Sequence, residues 1–377
     1  MTERSSPSRR HLGKLLLSAP LAGMISRAWA QSDSASQNVA IEARSLDELH
    51  KAALAEGGEL LVYGGGDLPN GSAGTERAFN TRFPGMKIRI LVDRSKYHHV
   101  RIDNQLALGR LACDAVHILS INAYDRWKAD GQLLSYKPAG WDQIYPDFKD
   151  PDGAYTGFTV FAFSSVYNTA QVSEADAPRD ALDFLSPKFK DRIILSYPHD
   201  DDAILYQFDR IVAAHGWGFI DKLLAQNPTW VRGSAPARVA VDKGEKAVTF
   251  TASGPLATCT NATSVFALPK TDSFLSWPQP FAIFKSARRP AAAKLYLNWL
   301  VSKEVQDRSR QWPVRRDATV SGGYGPVFAY NTYPAQFRAF LQDRVRLEKL
   351  RDQLEQYIGP MQGPNPTKVE GVFPPDR

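Results

Sequence analysis

The most unusual polar run in the sequence is His199-Asp200-Asp201-Asp202, which opens a predicted helix. Carboxylates at a helix N-terminus are each stabilised by about 0.3–1 kcal/mol through the helix dipole, so capping explains one or two of them. A third carboxylate exceeds what capping needs. Asp200, Asp201 and Asp202 are therefore candidate ligand residues that would attract a cation or accept sugar hydroxyls, with helix capping as the alternative.

A second polar run, residues 93–99 (DRSKYHH), follows a predicted strand. Arg94 and Tyr97 are candidates for holding an anionic or hydroxylated solute, because guanidinium supplies a planar fork of donors. The alternative is a solvated polar loop. Arg94 and the aspartate run favour opposite charges, and a zwitterionic or polyhydroxyl ligand would satisfy both. The adjacent His98 and His99 are not at helical metal-ligand spacing, and we predict no metal or cofactor.

A glycine-rich loop ending in Asp67 follows the apolar run 59–63, which is typical of a buried strand. Ligands of open α/β sheets bind at the carboxyl ends of strands, so Gly65, Gly66 and Asp67 are candidates. The alternative is a turn of unusual φ angles with Asp67 as a helix cap. Five further candidates complete the set: Ser120, Asn122, Ser253, Trp277 and Arg315. Trp277 would stack on a sugar or flat ring unless it simply belongs to the core.

These candidates fall between alternating strands and helices. Three strand–helix pairs are predicted within residues 59–131, which indicates a parallel α/β sheet. A Pro/Gly/Asp-rich stretch at 138–157 marks a change of lobe, and further strands and helices follow to residue 251. Residues 265–268 and 280–284 are placed where the chain could return to the first lobe. Residues 291–312 are predicted helical, and 334–358 are predicted to form one long charged helix on the outer surface.

Several ordered segments resemble the substrate-binding proteins of ABC transporters, in the family called iron(III)-type or family 1 extracellular solute-binding. They include residues 61–66 (LVYGGG), 78–85 (AFNTRFPG), 127–133 (WKADGQL), 185–191 (LSPKFKD), 290–295 (PAAAKL) and 300–306 (LVSKEVQ). The resemblance implies an α/β fold with two lobes, a hinge and an interlobe cleft, the type II periplasmic-binding-protein fold. It places residues 31–157 and 278–320 in lobe 1, 158–277 in lobe 2 and 321–377 in a helical segment packed on the lobes.

The same resemblance implies a non-enzymatic component of an importer, which binds a small polar solute by lobe closure and delivers it to an ABC permease in the inner membrane. Ferric members of the family present adjacent tyrosines after the Gly-Glu pair of the second lobe, whereas residues 244–254 here contain no tyrosine. Tyrosinate oxygens suit a hard trivalent ion, so ferric iron is disfavoured.

The first 30 residues have the layout of a bacterial export signal. Arg9 and Arg10 precede a short apolar run that ends in Ala28-Trp29-Ala30, which resembles a twin-arginine signal cleaved near Ala30; an ordinary basic leader is the alternative. We therefore expect a periplasmic protein with no membrane span, and we also expect it to be a monomer. The leader holds five of the 46 Lys and Arg and one of the 40 acidic residues, which leaves about +2 afterwards. That charge argues against nucleic acid as a partner.

Two rival functions are an exported hydrolase and a ligand sensor for a membrane receptor. The sequence contains no Gly-x-Ser-x-Gly elbow, His-Glu-x-x-His pair or phosphate-binding Gly-Lys-Ser/Thr loop. A sensor would share the fold and the cleft, so only its protein partner would distinguish it. The two cysteines, Cys113 and Cys259, match no metal or redox spacing, and two unpaired thiols are favoured over a disulfide that would restrain the hinge.

Overall fold

The computed structural model describes residues 39–258 and 262–374. The predicted export signal at 1–30 and the second cysteine, Cys259, lie outside the described residues. Cys113 is a buried free thiol, and burial raises its pKa well above the usual value. In the described ranges, none of the helices combines the length and the apolar character needed to cross a membrane.

The strands form one large mixed sheet and one small parallel sheet. They are β1 (Glu59–Gly65), β2 (Lys87–Asp93), β3 (Ala115–His117), β4 (Thr156–Asn168), β5 (Ile194–Ser196), β6 (Thr229–Val231), β7 (Val248–Ala252), β8 (Ser264–Ala267) and β9 (Leu275–Ile283). The large sheet has the order β2-β1-β3-β9-β4-β7, with β8 also paired to β4, and β5 pairs with β6. The parallel arrangement predicted for β1, β2 and β3 is confirmed. Strand β9, by contrast, runs antiparallel to β3.

Strands β4 and β9 connect the two ends of the large sheet. From Thr156 to Phe163, β4 pairs with β9, and from Ser164 onward it pairs with β7 and β8. The last residues of β9 pair instead with β3. We call the part built on β1–β3 the first lobe and the part built on β5–β8 the second lobe; β4 and β9 are the crossing strands.

The helices cover both lobes and pack against the crossing strands. They are α1 (Leu46–Ala55), α2 (Ala73–Arg82), α3 (Ser95–Ala107), α4 (Ile121–Ala129), α5 (Asp202–His215), α6 (Gly218–Ala225), α7 (Ser234–Asp242), α8 (Pro290–Leu300), α9 (Lys303–Asp307), α10 (Pro334–Gln342) and α11 (Arg344–Ile358). Helix α8 returns to the first lobe, where Tyr296 and Trp299 contact the ring of Phe79 edge-on at 5.2 and 5.4 Å.

Three helical features differ from the prediction. Helix α7 was not predicted, because Pro236 and the β-branched Val239 and Val241 weaken its helical pattern. A proline in the first turn is tolerated, since the amide there has no intrahelical acceptor. The predicted helix 291–312 ends at Leu300, continues only as the short α9, and leaves Trp312 in an irregular segment. The predicted helix 334–358 is broken at Asp343, whose side chain accepts the Arg346 amide and starts α11.

The C-terminal helices are not simply a solvated surface. The buried side chains of α10 and α11 are Pro334, Phe337, Phe340, Leu341, Leu347, Leu350 and Leu354. Arg338 on α10 pairs with Asp125 of α4 at 2.5 Å, while Arg351 on α11 pairs with Asp202 of α5 at 2.6 Å. The segment after α11 returns to the first lobe, where Thr367 Oγ1 donates to Asp93 at 2.5 Å. These helices and the tail therefore contact both lobes.

Candidate ligand-binding site

A cavity of about 210 Å³ lies between the two lobes, beside the crossing strands. Its walls are Gly65, Gly66, Asp67, Arg94, Ser95 and Leu119 from the first lobe; Asp201, Ala203, Ser234, Ala235 and Ser253 from the second; and Phe161, Phe163, Trp277 and Gln279 from the crossing strands. The volume is below the range of roughly 300–1,000 Å³ that suits drug-sized ligands, so the cavity has room only for a smaller molecule.

The glycine-rich loop brings the first lobe close to this cavity. The alternative of a turn with unusual φ angles does not hold, because neither Gly65 nor Gly66 has a positive φ. Both positions require glycine for packing: a Cβ on Gly66 would lie 2.9 Å from the side chain of Val92, and one on Gly65 would collide with the Ser95 hydroxyl. The loop thereby packs tightly on α3 and points Asp67 across the cleft.

Asp67 caps a helix, but that helix belongs to the opposite lobe. Its Oδ2 accepts the backbone N–H of Ser234 at 2.7 Å, the Ser234 hydroxyl at 2.8 Å and the N–H of Ala235 at 3.3 Å. These donors form the positive N-terminus of α7, which attracts a carboxylate. Asp67 is thus a hydrogen-bonded bridge between the lobes.

A buried ion-pair cluster forms the second bridge between the lobes. Arg94 Nη1 donates to the carboxylate of Asp200, and Arg94 Nη2 donates to the Asp200 carbonyl oxygen at 2.8 Å. Lys96 of the first lobe reaches Asp200 Oδ1 at 2.7 Å, and Arg232 of the second lobe donates to Oδ2 at 3.1 Å. Asp200 is fully buried. We call Arg94, Lys96, Asp200 and Arg232 the interlobe lock.

The lock keeps Asp200 ionised. Burial alone would raise the pKa of this carboxyl, but Arg94, Arg232 and Lys96 outweigh burial and lower the pKa to about 2. Tyr97, a sequence candidate, supports the lock rather than the cavity, because its hydroxyl accepts Arg232 Nη2 at 3.0 Å.

Asp201 faces the cavity while capping its own helix. Its Oδ1 accepts the amides of Ala203 and Ile204 at 2.9 and 3.2 Å at the start of α5, and its Oδ2 lies 3.7 Å from Arg94 Nη2. Burial raises the pKa of Asp201 to about 6, with Asp67 and Asp202 contributing repulsion and Arg94 opposing the rise.

Aromatic rings from the crossing strands form the back wall. Phe161 and Trp277 are directly paired across β4 and β9, with ring centroids 5.7 Å apart. The Phe163 and Trp277 rings are perpendicular, with centroids 5.1 Å apart. Trp277 Nε1 donates to Gln279 Oε1 at 3.2 Å, which fixes the orientation of the Gln279 amide.

Polar atoms of this cavity are left without partners. Within the residues that the structure describes, Arg94 Nε, Ser253 Oγ and Gln279 Nε2 are buried and make no hydrogen bond. A buried polar group that lacks a partner costs roughly 1–3 kcal/mol, so such atoms usually meet a ligand or water. The three atoms mark where a solute would bind.

Seven of the thirteen sequence candidates line the cavity: Gly65, Gly66, Asp67, Arg94, Asp201, Ser253 and Trp277. Asp200 and Tyr97 lie behind them in the lock. Ser120 and Asn122 begin α4 outside the lining. Asp202 is bound to Arg351 of α11 and does not line the cavity. Arg315 is paired with Asp317 at 2.8 Å near Gly140, away from the cavity.

The sequence reasoning missed Phe161, Phe163 and Gln279, together with the lock residues Lys96 and Arg232. Phe161 and Phe163 are two apart on β4, as are Trp277 and Gln279 on β9, and residues two apart share one face of a strand. This two-residue spacing was the pattern in the sequence that could have placed these side chains together on one wall. No local pattern connected Arg232 with Asp200, because their contact depends on the neighbouring ends of β5 and β6. Across the described ranges, no group of three His, Cys, Asp or Glu residues is arranged to hold a metal ion.

Comparison with solved structures identifies the fold. The iron-bound HitA of Pseudomonas aeruginosa superposes with a TM-score of 0.60 at 18% identity, covering 78% of this chain and 99% of HitA. The substrate-binding protein of an ABC transporter from Agrobacterium tumefaciens gives 0.68 at 15% identity, covering 80% and 94%. AfuA of Actinobacillus pleuropneumoniae, bound to fructose 6-phosphate, gives 0.63 at 18% identity, covering 80% and 98%. The expected α/β fold with two lobes is thereby confirmed.

A search of curated proteins found no significant sequence match. The family model for bacterial extracellular solute-binding proteins matches residues 114–311, which is more than half of the 377 residues. The matched region contains both crossing strands, the aspartate run and α7. This family is defined by solute binding rather than by catalysis, and the chain belongs to the bacterial extracellular solute-binding proteins.

Proposed function

We propose that the chain is the exported solute-binding component of an ABC importer, which closes on a small polar solute and delivers it to a permease in the inner membrane. The observation that carries the proposal is the cavity at the crossing strands, which has walls from both lobes and buried polar atoms that a solute would satisfy. Family membership supports binding as the activity. The export-type leader supports a periplasmic location with cleavage near Ala30, and we propose that the mature chain is a monomer.

The proposed mechanism is closure of the first lobe onto the second. We propose bounds of 31–157 and 278–320 for the first lobe and 158–277 for the second, which divide the crossing strands between them, with residues 321–377 packed against both. Closure forms the Asp67 bridge to α7 and assembles the interlobe lock. A solute that contacts both lobes binds the closed form better than the open form, and that difference in affinity shifts the population toward closure. Engagement of the permease would separate the lobes and release the solute.

We propose neither iron, as bound by HitA, nor fructose 6-phosphate, as bound by AfuA, as the solute of this chain. The carboxylates that line the cavity already bind backbone amides of α5 and α7. The wall opposite them is aromatic. These features support an organic solute.

A thermal-shift screen tests this function. Sugars, sugar phosphates, polyamines, thiamine-like cations and ferric complexes are added to the mature chain, because a ligand of the folded state raises the melting temperature. We expect at least one small solute to raise it, and uptake of that solute by cells to require the chain. A screen in which no class shifts the melting temperature, or a ligand whose uptake does not depend on the chain, would contradict the proposal.

A further inference from the structure

We propose that the solute is an uncharged, ring-bearing organic molecule that presents hydrogen-bond acceptors along one edge, rather than a phosphorylated sugar, an organic cation or ferric iron. This inference rests on the proposed function and narrows its ligand. Charge balance, the occupied helix N-termini, the free donors and the aromatic wall each contribute to it.

The charges around the cavity are already balanced. Three carboxylates (Asp67, Asp200 and Asp201) lie among three cations (Arg94, Lys96 and Arg232). Arg94 is 2% exposed and directs both terminal nitrogens at Asp200. A charged solute would therefore enter a buried site in which the charged side chains are already paired with one another. Burying a charge without a compensating partner is costly.

The positions that would favour an anion are occupied by the protein itself. Helix N-termini bind phosphate and carboxylate through their free amides. The first amides of α7 are bound by Asp67, and those of α5 by Asp201. A phosphate group would have to displace these carboxylates, one of which also bridges the lobes.

The buried side-chain atoms of the cavity that make no hydrogen bond within the described residues can all donate one. Gln279 Nε2 must point its N–H groups away from Trp277, because Oε1 of the same amide accepts the Trp277 indole N–H. Gln279 is 6% exposed and Arg94 is 2% exposed. Arg94 Nε lies 3.9 Å from Asp67 Oδ1 and, within the described residues, makes no hydrogen bond. The Ser253 hydroxyl adds a third group that can donate. Carbonyl, hydroxyl, ether or ring-nitrogen acceptors on an uncharged molecule match this set.

The rest of the wall suits the face of a ring. Phe161, Phe163 and Trp277 line one side of the cavity, with Leu119 and two alanines nearby. Aromatic side chains in contact with a ligand contribute apolar area with defined geometry. A ring with an apolar face toward these side chains and acceptors toward Gln279 and Arg94 satisfies both halves of the site.

The inference is tested with matched pairs of neutral and phosphorylated solutes. Isothermal titration calorimetry on the mature chain compares glucose with glucose 6-phosphate, fructose with fructose 6-phosphate, ribose with ribose 5-phosphate and uridine with uridine monophosphate. We expect at least one neutral member to bind and its phosphate ester to bind at least tenfold more weakly.

Tighter binding of a phosphate ester, of thiamine or spermidine, or of ferric citrate would overturn the inference while leaving solute binding intact. Failure of every neutral member to bind would also overturn it, and failure of all these solutes together would count against the proposed function as well. The two failures are therefore distinguishable.

A variant tests the donor directly. Gln279→Glu replaces the free N–H groups by an acceptor but keeps the oxygen that binds Trp277. We expect the affinity for the bound neutral solute to fall at least tenfold, while the exposed Gln336→Glu on α10 adds the same charge and leaves affinity unchanged. The role of Gln279 would be contradicted if Gln279→Glu and Gln336→Glu bound the neutral solute with equal affinity, provided that both variants keep the melting temperature of the solute-free wild type.

Discussion

Replacing Asp200 by asparagine should open the molecule, because this carboxylate is the centre of the interlobe lock. Asp200 is fully buried and contacts Arg94 and Lys96 of the first lobe and Arg232 of its own lobe. Removing one partner of a buried ion pair costs roughly 3–5 kcal/mol, since the remaining charges stay buried without compensation.

That cost is paid mainly in the closed form, because opening returns Arg94 and Lys96 to water. At 1.4 kcal/mol per factor of ten, Asp200→Asn should lower the ratio of closed to open molecules by a factor of roughly 100 to 4,000. Small-angle X-ray scattering of the mature chain without solute measures the change as a larger radius of gyration.

Asp202→Asn is the matched control, because Asp202 also carries an ion pair at the start of α5. Its partner Arg351 lies on α11, which packs against the same helix. This variant should lose stability without an increase in the radius of gyration. The lock would be refuted by equal radii of gyration for wild type and Asp200→Asn. It would also be refuted if the wild type without solute already had the radius of gyration of an open molecule.

Three further predictions concern single side chains. Asp67→Ala removes a helix cap worth about 0.5–2 kcal/mol and should also raise the radius of gyration, whereas Asp343→Ala removes the cap of α11 and should lower only the melting temperature; equal scattering from both would contradict the bridging role. The pKa of Asp201 is raised from 3.8 to about 6, so the folded chain keeps a proton that the unfolded chain loses in this window; its contribution to stability is complete below about pH 4 and is lost as the pH rises through 6. Urea unfolding should show the wild type losing stability relative to Asp201→Asn between pH 4 and 7, and a gap independent of pH would oppose this assignment. Thr367→Val removes the hydroxyl donor to buried Asp93 and should cost about 1–3 kcal/mol on unfolding in urea, which unchanged stability would contradict.

Much of the fold was readable from local patterns. The apolar runs bounded by glycine and the alternation of strands with helices located β1 to β3 and their helices, because burial of a parallel strand leaves a continuous apolar segment. The antiparallel return of β9 was not readable, since it depends on pairing between Val116 and Ala282, far apart in sequence. The break at Asp343 was missed because amphipathic periodicity continues across it.

The site was only partly predictable for the same reason. Strand ends and polar loops indicated Asp67, Arg94 and Asp201, because the carboxyl ends of strands meet at the cleft. The sequence could not show that Asp67 would cap α7 of the other lobe, which itself was not predicted. Arg315 looked like a cleft residue but is engaged by Asp317, two residues along the chain.

If the solute binds in the cavity between the lobes, filling that cavity with a protein side chain should abolish binding. Ala235 lines the cavity at the start of α7, and Ala235→Trp would place an indole in the space that the solute needs. Native mass spectrometry with the solute found by screening should show one bound molecule per wild-type chain and none on Ala235→Trp, with circular dichroism confirming that the variant is folded. Equal occupancy of the two folded proteins would place the solute elsewhere and contradict binding in the cavity between the lobes.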